Sequence, residues 1–268
     1  MHRIQSLNSH FEPVLAARKK GKPTDNVWES MNLDVHLRPE VVQKRKAVEK
    51  LMKENYVDIN KHVISTEHPA WMVPKIQALN INGLQIKDFG GPGFTNLEAG
   101  AVIMEMAKYD ASIATLVLVH NAIGQMCVEC LGDEEQRRRI LPETMNMDKI
   151  ICFGLTEPDY GSDASSLKTT AAKVDGGYLL NGEKTWIGNS TISDYIVIWA
   201  RNMADGDRVQ AFIVTKGSRG LKIEKIENKY SLRIVQNGHI ELKDVFVPDN
   251  NKLTKSKDFK TGTSLMLE

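Results

Sequence analysis

The spacing of apolar residues in the sequence changes near Lys149, and this change constrains the fold more than any other feature. From Arg38 to about Met147, apolar residues recur at three- and four-residue steps, which is the spacing of amphipathic helices. After Lys149, short apolar runs alternate with turn formers, and Asp175-Gly176-Gly177 predicts a hairpin. Helices grouped before strands indicate an α+β protein, because a parallel doubly wound sheet needs alternating helices and strands. We therefore predict an all-helical N-terminal part followed by an antiparallel β-sandwich or barrel-like part.

Composition excludes several classes of protein. The 268 residues contain 35 Lys and Arg against 34 Asp and Glu, a formal net charge of +1, which argues against a nucleic-acid partner. Three cysteines rule out a disulfide scaffold and suit a reducing compartment. Polar residues interrupt the longest apolar stretch, from Ile113 to Val128, so we expect a buried helix and no membrane span.

Several short motifs are present but do not indicate chemistry. Cys127 and Cys130 form a C-x-x-C pair with no second pair, so we interpret them as core cysteines and predict no metal site. The glycine loop at 90–93 lacks the spacing of a Rossmann or P-loop motif, and the sequence has no G-x-S-x-G or H-E-x-x-H.

The informative segment runs from Phe153 to Asp163, where an apolar strand enters a turn of Pro, Gly and Ser. Such a loop offers backbone N–H groups and hydroxyls that can hold a phosphate or a heteroaromatic edge. About 20 residues later, the segment from Asn181 to Asn189 delivers Trp186 into a Gly- and Asn-rich bend. A tryptophan beside glycine can form a flat wall for a ring system.

Together, T-E-P-x-x-G-S-D from Thr156 and N-G-x-K-x-W-I-x-N from Asn181 resemble the flavin-binding signatures of the acyl-CoA dehydrogenase and oxidase family. The resemblance extends from about Asn32 to the end, and the closest likeness is to peroxisomal short-chain acyl-CoA oxidases, of the glutaryl-CoA dehydrogenase-like branch. It implies an N-terminal helical domain at 31–148 and a middle β domain at 149–252, after a flexible leader at 1–30. Residues 253–268 would be a linker and the start of a C-terminal helical domain, whose helical bundle is absent from this chain.

The resemblance also implies an FAD site, and the residues expected to contact the cofactor are Phe153, Leu155, Thr156, Gly161, Ser162, Trp186, Ile187 and Gly188. Ser162, Ala114 and Thr115 are expected to contact the acyl-CoA substrate. Dehydrogenases commonly carry Thr at the position of Gly188, and its loss agrees better with the oxidase branch. Ala114 replaces the Arg that pairs with the distal carboxylate in glutaryl-CoA enzymes, and an unpaired buried carboxylate is costly. We therefore expect a short-chain, monocarboxylic acyl-CoA.

The expected reaction is FAD-dependent α,β-dehydrogenation of acyl-CoA to trans-2-enoyl-CoA with O2 as acceptor, a step of fatty-acid β-oxidation. The family's catalytic base is a Glu in the C-terminal domain, so we expect it beyond Glu268 and interpret Glu157 as structural. The fragment alone should hold FAD weakly and turn nothing over, and a full-length protein should be a homo-oligomer, a dimer or tetramer. Two alternatives stay open: a dehydrogenase that passes electrons to an electron-transferring flavoprotein, and a non-catalytic flavin-binding or assembly module.

The leader suggests a location. Arg3-Ile4-x5-His10-Phe11 resembles the N-terminal nonapeptide that directs proteins to peroxisomes, and on a helix Arg3, Leu7 and His10 share one face. The alternative is a presequence for the mitochondrial matrix, although such presequences are usually poor in acidic residues and Glu12 is present.

Overall fold

The computed structural model describes Trp28 and residues 32–267, with the side chain of Leu267 excepted. The leader motif of Arg3 to Phe11 therefore lies outside the described residues. The chain divides into two compact units, Met1–Val42 and Gln43–Glu268. In the first unit, a short 3-10 helix covers Leu33–His36.

Helices recur from Pro39 to Met145, as the apolar periodicity predicts. Their bounds are Pro39–Ser65 (α1), Met72–Gln77 (α2), Asn96–Ala107 (α3), Ala111–Leu118 (α4), Met126–Leu131 (α5) and Glu134–Met145 (α6). Thr95 and Asp133 start α3 and α6 with capping boxes, in which side chain and backbone exchange hydrogen bonds. The predicted boundary at 148/149 falls between α6 and the first strand.

A π-helical turn, Val119–Gln125, interrupts the buried helix that the sequence predicts between Ile113 and Val128. The continuous helical stretch Ala111–Leu131 is long and apolar enough to cross a membrane by length and composition alone, and 67% of its most apolar window is buried inside the protein. Burial of this kind is also what the core helix of a globular protein shows.

Seven strands follow among the described residues. Their bounds are Ile151–Gly154 (β1), Thr170–Val174 (β2), Gly177–Ile187 (β3), Tyr195–Asn202 (β4), Arg208–Thr215 (β5), Leu221–Lys225 (β6) and Gly238–Pro248 (β7). They form one curled sheet in the order β1-β4-β2-β3-β7-β6, with β5 also paired to β4. The α+β class is confirmed, but the sheet is mixed and not wholly antiparallel, because β1 and β2 both pair parallel to β4.

The sheet buries both faces. Along β4, Val197 and Trp199 pack in a cluster with α5 and α6, whereas Ile196 and Ile198 point into the curl of the sheet beside Phe212. This alternation follows from the two-residue period of a strand. A last helix, Phe259–Leu267 (α7), lies in the segment expected to begin a C-terminal helical domain. Asp258 accepts from the Thr261 N–H and caps the first turn of this helix.

Candidate functional site

The two segments that the sequence singles out lie side by side. The Thr185 N–H donates to the Thr156 carbonyl at 2.9 Å, and the Lys184 ammonium donates to the Leu155 carbonyl at 3.0 Å. Thr156 therefore lies beside the residue that precedes Trp186. We call residues 153–156 and 186–188 together the site wall.

A β-bulge places Trp186 in this wall. Lys184 pairs with Ile240 and Ile187 pairs with Gly238, so two residues of β3 face one residue of β7. Trp186 has a φ of 59°, in the left-handed region that L-residues rarely adopt, and the residue is 58% exposed. Bulges commonly re-aim a side chain next to a functional site. Here the bulge leaves a large aromatic side chain exposed between the buried residues Lys184 and Ile187.

Two asparagines hold the bend that follows. The Asn237 side-chain amide donates to the Trp186 carbonyl at 3.1 Å, and the Asn189 amide donates to the Leu116 carbonyl at 3.0 Å. The second bond ties the bend to α4, the helix that carries Ala114 and Thr115. The segment expected to contact the acyl group thus adjoins the site wall.

A buried ion pair lies behind the wall. The Lys184 side chain is fully buried and Glu157 is 5% exposed, and their Nζ and Oε1 atoms are 2.8 Å apart. Glu157 also accepts from the N–H groups of Lys168 and Thr169 and from the Thr169 hydroxyl. Burial lowers the pKa of Lys184 to about 8, against the opposing effect of Glu157. Burial alone raises the pKa of Glu157, but hydrogen bonds from Lys184, Thr169 and Lys168 outweigh it and lower the pKa. Both carboxylate oxygens of Glu157 therefore accept hydrogen bonds from the protein itself.

The site wall and the loop that follows it, residues 157–162, offer polar groups that no described residue uses as a hydrogen-bond partner. Among those residues, none hydrogen-bonds to the hydroxyls of Thr156 and Ser162 or to the N–H groups of Gly161 and Ser162. A Cβ atom built on Gly161 meets nothing within 4 Å, so neither packing nor a left-handed backbone explains this glycine. Gly161 and Ser162 are exposed, so these donors and the space beside Gly161 are accessible to a ligand.

The other predicted residues lie at different depths. Phe153 is half-buried and packs edge-on against Trp199, with ring centroids 6.2 Å apart. Ile187 and Ala114 are buried, so Ile187 can contribute to the wall only through its main chain. The Thr115 hydroxyl donates to the Ala111 carbonyl at 2.8 Å. A Cβ atom at Gly188 would lie 3.1 Å from the Val119 side chain, which makes this part of the wall tight.

Sequence reasoning gave no role to Lys184, Asn189 or Asn237. Lys184 and Asn189 belong to the N-G-x-K-x-W-I-x-N motif, and a buried lysine in a strand is a signal for a paired carboxylate. Asn237 gives no such signal, because its bond to Trp186 spans 51 positions.

The cysteines behave as small apolar residues. Cys127 is buried and Cys130 half-buried, and burial raises the pKa of both thiols. Within the described part of the chain, no group of three or more His, Cys, Asp or Glu side chains could hold a metal ion.

Comparison with known proteins places this geometry in a family. The family model of the acyl-CoA dehydrogenase N-terminal domain matches residues 38–148, and that of the acyl-CoA dehydrogenase middle domain matches residues 152–245. These matches cover most of the helical part and most of the sheet. The chain belongs to the acyl-CoA dehydrogenase family, of which it contains the N-terminal and middle domains.

Individual relatives agree. An acyl-CoA dehydrogenase of Bacillus subtilis is 31% identical over 84% of this chain and 60% of its own length. A mitochondrial isobutyryl-CoA dehydrogenase of Dictyostelium discoideum is 33% identical over 66% of this chain and 43% of its own length. The structure of a glutaryl-CoA dehydrogenase from Mycobacterium smegmatis in complex with FADH2 superposes with a TM-score of 0.83 and 25% identity, over 88% of this chain and 61% of that one. The chain thus spans between 43% and 61% of the length of these relatives, and all three are named dehydrogenases.

Proposed function

We propose that this chain forms the FAD- and acyl-CoA-binding part of an enzyme that oxidises acyl-CoA to trans-2-enoyl-CoA. The convergence of the Thr156 and Trp186 segments, joined by the hydrogen bond between Thr185 and Thr156, carries the proposal. Family membership supports it, as does the FADH2 complex of the mycobacterial relative.

The residues of the wall fit a flavin. Trp186 offers an exposed flat face, and the Thr156 hydroxyl is a donor with no described protein partner. Gly161 leaves open space where a phosphate could approach backbone N–H groups, with Ser162 beside it. In this proposal Phe153, Leu155, Ile187 and Gly188 complete the pocket. When bound, FAD accepts the hydride from the β carbon of the substrate.

The other half of the reaction is removal of the α proton by a carboxylate base. Glu157 cannot serve, because its oxygens are occupied by Lys184, Lys168 and Thr169. We assign the base to a segment beyond Glu268, and the 268 residues to cofactor and substrate binding. The proposed domains are those expected from the sequence, 31–148 and 149–252.

The proposed substrate is a short-chain, monocarboxylic acyl-CoA. Ala114 is buried on α4 and Thr115 uses its hydroxyl within the helix, so neither offers a cation to a distal carboxylate. Because an unpaired carboxylate loses its hydration on burial, a dicarboxylic substrate would bind poorly here. A comparison of butyryl-CoA with glutaryl-CoA tests this: butyryl-CoA should bind more tightly, and tighter glutaryl-CoA binding would refute the assignment.

Two electron acceptors are supported by different observations. Gly188 lacks the hydroxyl that dehydrogenases place at this position, which favours O2 and hydrogen peroxide as the product. The dehydrogenase names of the relatives favour an electron-transferring flavoprotein. Peroxide formed per enoyl-CoA, with and without such an acceptor protein, distinguishes them: a yield near one in both conditions means an oxidase.

Titration of the chain with FAD tests the binding function. Trp186 should quench flavin fluorescence on binding, and Trp186→Phe should weaken both the quenching and the affinity. Trp71→Phe is the matched control, because Trp71 contacts His62 and Lys75 in the helical part. Saturable binding that depends on Trp186 and not on Trp71 supports the proposal. Absence of flavin binding would instead favour a purely structural assembly module.

Location and assembly are further proposals. The likeness of Arg3 to Phe11 to a peroxisomal signal supports a peroxisomal enzyme of β-oxidation, whereas the Dictyostelium relative is mitochondrial. Fusion of residues 1–30 to a fluorescent reporter decides between them, and a mitochondrial or diffuse pattern would refute the peroxisomal proposal. We also propose a homo-oligomer, a dimer or tetramer, for the full-length protein.

A further inference from the structure

Three cations lie in residues 225–233, at the end of β6 and in the connection to β7. Lys225 donates to the Thr66 carbonyl at 2.8 Å, and Arg233 donates to the Val63 carbonyl at 3.0 Å, at the C-terminal end of α1. Lys229, between them, donates to oxygen atoms of its own segment. Within the part of the chain that the structure describes, none of the three cations forms an ion pair with a carboxylate.

Lys229 differs from Lys225 and Arg233 in its hydrogen-bond partners. Its ammonium donates to the carbonyls of Leu232 and Val235, at 2.8 and 2.6 Å, and to Oδ1 of Asn237 at 2.8 Å. An ammonium has three donors and no acceptor, so these contacts use all of its hydrogen-bonding capacity. Each of these oxygens is uncharged, so Lys229 forms no ion pair here. Its hydrogen bonds instead fix the positions of the groups that accept them.

The contact with Lys229 decides which way the Asn237 amide points. Because an ammonium can only donate, the oxygen of the amide must face Lys229 and the NH2 group must face away. That NH2 group donates to the Trp186 carbonyl at 3.1 Å, while the main-chain carbonyl of Asn237 accepts from Ile226 at 2.9 Å. Asn237 is thus fixed at both ends.

The hydrogen bond from Asn237 is important for the conformation of Trp186. Its left-handed backbone is unfavourable for an L-residue, and its side chain is exposed, so little packing holds the indole in place. We propose that Lys229 is a positioning residue that acts through Asn237 to fix the Trp186 peptide, and with it the orientation of the indole at the site wall. Its effect on cofactor affinity rests on the proposed function, whereas its effect on Trp186 does not.

The indole NMR signals of the flavin-free chain test the positioning directly. The chain contains four tryptophans, and Trp186→Phe identifies the Trp186 signal. Lys229→Met should shift or broaden that signal more than the other three, and Lys229→Arg, which keeps cationic donors, should restore it. Lys225→Met is the matched control: it removes a cation from the same segment, but one that does not touch Asn237, and should leave the Trp186 signal unchanged.

Asn237→Asp provides a second variant that keeps an oxygen for Lys229 and replaces the donor to Trp186 with an acceptor. It should displace the Trp186 signal as Lys229→Met does. If Lys229→Met fails to fold, Asn237→Asp alone tests whether Asn237 fixes the position of Trp186. In a second measurement, both variants should bind FAD about threefold to tenfold more weakly, the effect of one lost hydrogen bond.

Several outcomes would overturn the proposal. An unchanged Trp186 signal in both Lys229→Met and Asn237→Asp would refute it, and so would an equal displacement in Lys225→Met, since the cations would then only anchor the segment. If the parent chain binds no FAD but the Trp186 signal responds as predicted, the positioning role stands and the proposed flavin function fails.

Discussion

The two ends of strand β1 differ in how their polar groups are used. At the N-terminal end, the Ile151 N–H donates to Nδ1 of His120 at 3.2 Å, and the Ile150 N–H donates to Asp194 at 2.9 Å. His120 in turn donates from Nε2 to the Thr144 carbonyl of α6. At the C-terminal end, the Thr156 hydroxyl and the N–H groups of Gly161 and Ser162 have no partner among the described residues.

Glycine shows the same contrast. A Cβ atom at Gly124 would lie 2.9 Å from the Ile151 side chain, so this glycine lets the π-helical turn approach β1. A Cβ atom at Gly161 would meet nothing within 4 Å. We infer that the first end of β1 is built for stability and the second for binding, so substitutions at the two ends should affect different measurements.

The largest loss of folding stability should come from breaking the ion pair between Lys184 and Glu157, which lies behind the site wall. Lys184→Met leaves the Glu157 carboxylate buried without its partner and should lower the free energy of unfolding by about 3–5 kcal/mol. Urea denaturation measures the loss. The double variant Lys184→Met with Glu157→Leu should recover part of it, because no buried charge remains. A loss below about 1 kcal/mol would show that water reaches the pair.

His120 tests the other end of β1 through pH. Burial lowers the pKa of His120 to about 4 from its ordinary 6.5, so the unfolded chain binds more protons between these values. This contribution to stability is present above pH 6.5 and is lost as the pH falls toward 4, a change on the order of 3 kcal/mol. His120→Asn should flatten the pH dependence of urea denaturation in this range. Equal slopes for the two proteins would contradict the neutral, buried state of His120.

Gly161→Val should separate binding from stability. The new side chain enters the space assigned to the cofactor, so FAD should bind at least tenfold more weakly, which corresponds to about 1.4 kcal/mol. The melting temperature should stay unchanged, because a Cβ atom there meets no protein atom. The exposed Gly100 on α3, where a Cβ atom also meets nothing and φ is not positive, is a control position for binding. Unchanged FAD affinity in Gly161→Val would remove Gly161 from the site.

Thr156→Val should have the smallest effect. It keeps the shape of the side chain and removes a hydroxyl with no protein partner, so stability should change by less than about 0.5 kcal/mol. FAD affinity should fall by about threefold to tenfold if that hydroxyl bonds to the ligand. Isothermal titration calorimetry and thermal melting of the same samples give both numbers. A loss of stability with unchanged FAD affinity would show that the Thr156 hydroxyl serves folding and not binding.

The sequence predicts local features better than long-range ones. Helix α6 follows from Asp133 and the acidic first turn, and the β2–β3 hairpin follows from Asp175-Gly176-Gly177, because each signal lies within a few residues of its effect. The parallel pairing of β1 with β4 joins strands more than 40 residues apart and leaves no local signal. The π-helical turn also escaped prediction, because it depends on how the helix packs against β1.

In the candidate site, too, the local features are predictable from the sequence and the long-range contacts are not. Its two segments are recognisable because each is a compact motif, and the structural role expected of Glu157 stays a prediction. The hold on Trp186 by Asn237 and Lys229 depends on how the β6–β7 connection folds back onto the wall, which no spacing in the sequence reveals. Ligand roles for the eight predicted cofactor residues stay predictions that the variants above can test.

Hydrogen–deuterium exchange of the chain with and without FAD tests the central claim most directly. If one planar cofactor lies across the wall, FAD should slow exchange in residues 155–162 and 184–189 together, with the same dependence on FAD concentration. The amides at the His120 end of β1 should show no comparable change. Protection of only one segment, or binding with protection elsewhere, would contradict the account.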